Sequence, residues 1–197
     1  TIAIFTYRRC LEQVILDLCL PKLPVRLIGS GGGLVYAPLG PTHLATDDIA
    51  ILRTIPNMTI VAVADAAEME RFMPQTLEWP GPIYIRLAKG GDPIVTDPTK
   101  PFHIGKAIVM RKGSDIALFT TGITLGLALE AATVLEKRGV NASVVHVHTV
   151  KPLDTGALES IAGKFKRMIV VEENISQGGI GCAIREWEAG RKVRKDI

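Results

Sequence analysis

A histidine follows a short turn sequence, Gly40-Pro41-Thr42-His43, between the apolar runs 25–28 and 55–61. An imidazole ionises near neutral pH, so it can hydrogen-bond a hydroxyl group or move its proton. Open α/β sheets bind ligands outside the carboxyl ends of their strands, where a turn that follows a strand lies. We therefore predict that His43 is a site residue.

The glycines that precede this turn, Gly29, Gly31, Gly32 and Gly33, superficially resemble a phosphate-binding loop. They lack the Gly-x-Gly-x-x-Gly spacing before a helix that dinucleotide binding requires. We interpret them as a tight turn or a close approach of the backbone to a ligand, because glycine has no Cβ to collide.

The other candidate ligands predict no metal site. The three cysteines have no metal-ligand spacing: Cys10, Cys19 and Cys182. His103, His146 and His148 lack partners at metal spacing, and we expect structural roles for them. Glu172 and Glu173 precede a glycine-rich turn, where a carboxylate can cap a helix or bond across an interface.

Composition indicates a globular protein with an ordinary core. The 197 residues are 47% hydrophobic and 22% charged, with a net charge of +3. The basic residues gather only at the end, as Arg191, Lys192, Arg194 and Lys195. We interpret this cluster as a solvated helix end and predict no nucleic-acid partner. The sequence has no long apolar run and no signal sequence, and its three cysteines are an odd number. These features predict a cytoplasmic protein without a membrane anchor.

Strand and helix patterns alternate along the chain. In the first half we predict a strand at 1–5, strands at 25–28, 59–63 and 83–87, and helices at 9–20, 47–55 and 66–78, the last capped by Asp65. The second half repeats the alternation, with strands at 107–110, 116–120, 142–147 and 168–171 and helices at 125–138 and 155–165. This succession predicts two open α/β domains with mostly parallel sheets.

Prolines and glycines interrupt every period between 89 and 101. We place a linker at 92–104, between a domain at 1–91 and a domain at 105–197. Because the chain opens on an apolar segment without an initiator methionine, we expect further residues before Thr1.

An ordered series of short motifs resembles the transketolase family of thiamine diphosphate enzymes, and it covers nearly the whole chain. The motifs are Leu23–Arg26, Gly33–Tyr36, Gly40–His43, Pro56–Met58, Ala64–Glu68, Gly81–Arg86, Phe102–Ala107, Val150–Asp154, Val171–Asn174 and Gly178–Gly181. The resemblance implies a pyrimidine-binding domain followed by a transketolase C-terminal domain. It further implies the carboxyl-terminal subunit of a transketolase that is split into two chains.

The resemblance also implies roles for individual residues. Phe5 matches the aromatic residue that packs on the aminopyrimidine, with Tyr7 as the alternative if the alignment slips. His43 matches the histidine that contacts the sugar hydroxyls of the donor. Arg86 matches the arginine that holds the sugar phosphate. Arg9 matches a position near the active site in the related deoxyxylulose phosphate synthases.

Other parts of the family's active site fall outside this sequence. The family's catalytic glutamate would lie upstream of Thr1, and a different domain binds the diphosphate and Mg²⁺. We therefore expect this chain to be inactive alone. The resemblance implies an assembly of two copies of this chain with two copies of an N-terminal subunit that carries the missing domain.

Departures from the family pattern leave alternatives open. Leu39 replaces an aspartate that recognises a donor hydroxyl, which puts the standard donor in doubt. Deoxyxylulose phosphate synthases have a substrate arginine where this chain has Gly31 and Gly32. The beta subunit of 2-oxoacid dehydrogenases shares both domains but lacks the Gly-Pro-Thr-His motif. A non-catalytic paralogue that keeps only the fold is the further alternative.

Overall fold

A computed structural model describes residues 1–190 of the chain. Within this range the strands are β1 (Arg26–Ser30), β2 (Thr59–Ala62), β3 (Ile83–Leu87), β4 (Ile108–Arg111), β5 (Ile116–Thr120), β6 (Ala142–His146), β7 (Thr149–Lys151) and β8 (Arg167–Val171). The helices are α1 (Leu11–Gln13), which continues as a π-helical segment (Val14–Cys19), α2 (Asp48–Arg53), α3 (Ala66–Thr76), α4 (Thr124–Glu136), α5 (Thr155–Ala162) and α6 (Ile180–Ala189). The basic cluster at 191–195 lies outside the described residues.

The strands form two four-stranded sheets, in the orders β1-β3-β2-β7 and β4-β6-β5-β8. The pairs β1–β3, β2–β3, β5–β6 and β5–β8 are parallel, whereas β4 and β7 are antiparallel edge strands. The predicted fold class, two mostly parallel α/β sheets, is confirmed.

The prediction of a strand at residues 1–5 is wrong. Only Ile2 pairs with the sheet, in a single parallel bridge to Ser30, and Ala3–Thr6 form a 3-10 turn. The amide of Phe5 donates to the carbonyl of Ile2 at 3.0 Å, a bond local to the turn that takes the place of ladder bonds to a neighbouring strand. The Thr6 hydroxyl closes the turn by donating to the carbonyl of Ala3 at 2.6 Å.

A strand that the sequence patterns did not predict joins the two halves. β7 follows β6 almost directly but pairs with β2 of the first sheet, with Val61 opposite Thr149. Lys151 then donates from Nζ to the carbonyl oxygens of Arg53 and Ile55, at 2.8 and 2.6 Å, behind the end of α2. The second half therefore contributes a strand to the first sheet. The domain limits 1–91 and 105–197 stay a prediction.

A buried histidine–carboxylate contact also connects the halves. His146, at the end of β6, lies 2.9 Å from the carboxylate of Glu68 on α3, and neither side chain is exposed. Burial alone would raise the pKa of Glu68, but the charge and hydrogen bond of His146 lower it below its ordinary value. His148 stacks on Phe102 at 3.8 Å, and burial lowers its pKa to about 3. The contacts of His146 and His148 are therefore with buried groups of the protein itself.

Asp65 links α3 to the segment between the sheets. Its carboxylate accepts hydrogen bonds from the Glu68 amide, as the predicted cap, and from the amides of Val95 and Thr96, at 2.7–2.8 Å. The Thr96 hydroxyl adds a further bond at 2.8 Å. Burial alone would raise the pKa of Asp65, but these hydrogen bonds lower it below its ordinary value.

We expect Asp65→Ala to lower the free energy of unfolding by about 2–4 kcal/mol, because it removes a helix cap and leaves buried amides unpaired. Urea unfolding followed by circular dichroism measures this change. Asp97→Ala is the control, since Asp97 is exposed and its carboxylate accepts the amide and hydroxyl of Thr99 within its own turn. Equal effects of the two substitutions would contradict the assignment.

Because the pKa of Asp65 is depressed, its contribution to the free energy of unfolding should be present above about pH 4 and lost as the pH falls further.

Candidate active site at the His43 loop

The segment 33–45, which we call the His43 loop, follows the carboxyl end of β1. Its two ends pair with each other, because the amide of Gly33 donates to the carbonyl of Ala45 at 2.7 Å. Inside the loop a 3-10 turn spans Ala37–Leu39, and the amide of His43 donates to the carbonyl of Gly40 at 3.0 Å. The turn places His43 at the edge of the sheet where α/β proteins bind ligands.

The imidazole of His43 is half-buried among aromatic rings. The ring centroid of Phe5 lies 5.5 Å away and that of Tyr36 6.4 Å away, both edge-on. The hydroxyl of Thr42 lies 2.9 Å from Nδ1. Because this contact engages Nδ1, it presents Nε2 as the atom that can meet a ligand.

The structure brings Phe5 and Arg9 to the same place as His43. The Arg9 guanidinium carbon lies 5.0 Å from the Phe5 ring centroid, within the range of a cation–π contact. A cavity of about 200 Å³ opens here, lined by Ile4, Phe5, Arg8, Arg9, Pro41 and Thr42. Three of the predicted site residues therefore form one cluster.

Tyr7 lies beneath this cluster and is fully buried. Its hydroxyl donates to Asp47, and burial with this hydrogen bond raises the pKa of Tyr7 well above its ordinary value. Asp47 also forms an ion pair with Arg8 at 2.7 Å. Of the two predicted aromatic residues, only Phe5 presents part of its ring to the cavity.

Arg86 lies in a separate, buried network. Its Nε donates to Asp48 at 2.8 Å, Nη1 donates to Glu173 at 3.2 Å, and Nη2 donates to the carbonyl of Ala45 at 3.5 Å. Burial alone would lower the pKa of Arg86, but the two carboxylates raise it above its ordinary value. All three nitrogen atoms already donate to protein oxygens, and the assignment of Arg86 to a phosphate stays a prediction.

An exposed lysine at the same edge of the sheet is a further candidate that the sequence motifs did not single out. Lys89 follows β3 by two residues and lines a cavity of about 230 Å³ with Ser30, Gly90 and Gly91. The signal was available, because Lys89 lies two residues after the predicted strand at 83–87. The glycines and proline that follow Lys89 predicted only the start of the irregular linker.

Glu172 and Glu173 perform the two tasks that their position predicts. Glu172 caps α6, because its carboxylate accepts the amides of Ile180 and Gly181 at 2.8 and 3.0 Å. Glu173 crosses to the first sheet. Between residues 1 and 190, no cluster of three or more His, Cys, Asp or Glu side chains could hold a metal ion. No helix in that part of the chain is long and apolar enough to cross a membrane.

Two known protein families match this chain. The family described as the transketolase pyrimidine binding domain matches residues 1–91, and the transketolase C-terminal domain matches residues 105–191. The chain belongs to the transketolase family. The predicted resemblance is thereby confirmed.

Relatives include subunits of transketolases and longer enzymes. The 6-deoxy-6-sulfo-D-fructose transketolase subunit SqwH of Clostridium sp. is 36% identical over 182 residues, which cover 92% of this chain and 56% of that protein. One of the subunits of the apulose-4-phosphate transketolase of Phocaeicola vulgatus is 35% identical over 93% of this chain and 59% of that protein. The 1-deoxy-D-xylulose-5-phosphate synthase of Rippkaea orientalis is 38% identical over 91% of this chain and 29% of that protein.

A solved structure, a split gene transketolase described as an inactive beta4 tetramer, superposes with a TM-score of 0.90. It is 32% identical, and the match covers all of this chain and 63% of that one. The chain thus spans a little over half the length of the transketolase subunits that it matches.

The base of the His43 loop has no room for a side chain at Gly33. Its φ is +77°, and a Cβ there would lie 2.3 Å from the Glu173 carboxyl group. We expect Gly33→Ala to cost about 3 kcal/mol of unfolding free energy, from backbone strain plus displacement of Glu173. Gly139→Ala is the control, since Gly139 has a similar φ of +80° but open space around it. It should cost about 1 kcal/mol by strain alone, and equal costs in urea unfolding would contradict the predicted collision.

Proposed function

We propose that this chain is the C-terminal subunit of a thiamine diphosphate-dependent transketolase, which transfers a two-carbon ketol unit between sugar phosphates. The observation that carries the proposal is a cluster in which Phe5 and Arg9 line one cavity and the His43 ring packs edge-on against Phe5. An imidazole, an aromatic face and a guanidinium suit a sugar hydroxyl, a heteroaromatic ring and an anionic group, respectively.

The residues present fit the pyrimidine end of the cofactor. The half-buried ring of Phe5 borders the cavity, and we propose that it packs on the aminopyrimidine. When bound, thiamine diphosphate supplies the nucleophilic carbon that takes up the ketol unit. The cavity of about 200 Å³ is smaller than the pockets that usually enclose small molecules. We therefore propose that an N-terminal subunit completes the site and binds the diphosphate and Mg²⁺.

We assign His43 to the sugar hydroxyls at the reacting end of the donor. Its Nδ1 faces Thr42 and its ring packs edge-on against Phe5, so Nε2 can hold or move a hydroxyl proton without the ring reorienting.

The proposed assembly contains two copies of each subunit in the cytoplasm. The names of two relatives support an anionic sugar as substrate. One name contains a sulfo-substituted fructose and the other a sugar phosphate.

Ketol transfer is favoured over deoxyxylulose phosphate synthesis by the packing of two glycines. A Cβ on Gly31 would lie 2.0 Å from the Tyr36 ring, and one on Gly32 would lie 2.6 Å from the Arg86 side chain. An arginine at either position, as the synthases have, would collide with these side chains.

The first test is ketol transfer by the full-length chain reconstituted with its N-terminal subunit, thiamine diphosphate and Mg²⁺. We expect His43→Ala to lower kcat by about 100-fold or more, the scale of a lost proton-transfer group. His103→Ala is the matched control, because His103 is exposed and lies outside the cluster. A stable complex that turns over no ketose phosphate would overturn the proposal and favour the non-catalytic alternative.

Three cationic side chains are candidates to bind the substrate phosphate: Arg9, Lys89 and Arg86. Their surroundings predict different effects of replacing them by alanine. We expect Arg9→Ala to raise KM about 10-fold for a phosphorylated donor and to leave KM for a non-phosphorylated ketol donor unchanged. Lys89→Ala, measured in parallel, tests the second exposed cation. Arg86→Ala should instead lower thermal stability, because it leaves Asp48 buried without its cationic partner. A selective KM effect in Arg86→Ala with unchanged stability would restore Arg86 as the phosphate ligand.

A further inference from the structure

Glu173 belongs to the second half of the chain but makes its contacts in the first. It follows β8 by two residues, and its side chain is 11% exposed. One carboxylate oxygen accepts the amide of Leu34 at 3.1 Å, and the other accepts Nη1 of Arg86 at 3.2 Å. Leu34 is the second residue of the His43 loop.

Glu173 also reaches the other end of the loop, through Arg86. Nη2 of Arg86 donates to the carbonyl of Ala45 at 3.5 Å, and Ala45 in turn accepts the amide of Gly33. The next segment continues the contact, since the amide of Ile175 donates to the carbonyl of Thr46 at 2.8 Å. Residues 173–175 therefore run beside both ends of the loop.

The loop itself has little structure to hold its shape. Beyond the 3-10 turn and the bridge at its base, it contains no strand or helix among the described elements. Its internal hydrogen bonds are short turn contacts, such as the Leu44 amide to the Gly40 carbonyl, so the loop also depends on outside contacts for its order. The carboxylate of Glu173 is a largely buried contact of this kind, and its bond to the guanidinium of Arg86 is assisted by charge.

We propose that Glu173 is a positioning residue that orders the His43 loop, so that the second half of the chain prepares the site on the first. The catalytic importance of this ordering rests on the proposed function, because it acts through His43. The ordering of the loop does not rest on the proposed function, because it concerns contacts within this chain alone. Removing Glu173 leaves Arg86 paired with Asp48, so the buried guanidinium keeps a partner and the variants should fold.

Hydrogen exchange of the isolated chain, measured by mass spectrometry, tests the proposal. We expect Glu173→Ala to speed exchange in peptides that cover 33–45 by about 10-fold or more, with the strands of both sheets unchanged. Glu173→Gln should give a smaller increase, because its amide oxygen can still accept from Leu34 while its NH₂ group cannot accept from Arg86. Glu172→Gln is the matched control, one residue away, and should affect the start of α6 but not the loop.

Either of two results would overturn the proposal. One is exchange in 33–45 that matches wild type in both Glu173 variants. The other is an increase spread equally over all peptides in both variants, which would show a general stabilising role. In the reconstituted enzyme, Glu173→Gln should lower kcat more than it changes KM for the donor. If wild type has no ketol transfer while the loop still loosens in the variants, the proposed function fails and the positioning role stands.

Discussion

The buried guanidinium of Arg86, held between Asp48 and Glu173, is the interaction on which the rest of the structure depends. Arg86 extends from β3, Asp48 begins α2, and Glu173 arrives from the second sheet. Desolvating three charges is costly, and such a network is favourable only when hydrogen bonds satisfy its members. Tyr84 adds one by donating to Asp48 at 2.8 Å. Loss of a central member would leave buried charge without compensation, so the three elements are held in one arrangement.

Other buried contacts make the two sheets a single packed unit. The Glu68–His146 pair joins α3 to β6, β7 extends the first sheet, and Arg53 of α2 donates to the carbonyl of Gly178 at 2.8 Å. Domains that are joined only by a linker are expected to move relative to each other. Here polar groups from both halves satisfy each other in the interior, which opposes such motion. A site on the first sheet can therefore depend on residues from the second.

The surface cluster is organised differently from this interior. Phe5, His43 and Arg9 are partly or fully exposed and meet through ring and cation–π contacts, whereas Tyr7, Asp47 and Asp48 beneath them are held by hydrogen bonds and ion pairs. A rigid lower layer that positions an open upper layer is the arrangement that preorganised sites require. It accords with the proposed site, whose remaining wall we assign to an N-terminal subunit.

The sequence by itself determined the alternation of strands and helices, the cap at Asp65, the turn that carries His43 and the membership of the transketolase family. These depend on local hydrophobic periodicity, turn chemistry and ordered motifs, which are all legible along the chain. Only the tertiary structure decided that the short segment at Thr149–Lys151 pairs with β2 and that residues 1–5 are not a strand. It alone also buried Arg86 and Tyr7 and left Arg9 and Lys89 exposed. The reason is that burial and pairing depend on residues distant in the sequence, such as Glu173 and Leu34, whose contact no local pattern encodes.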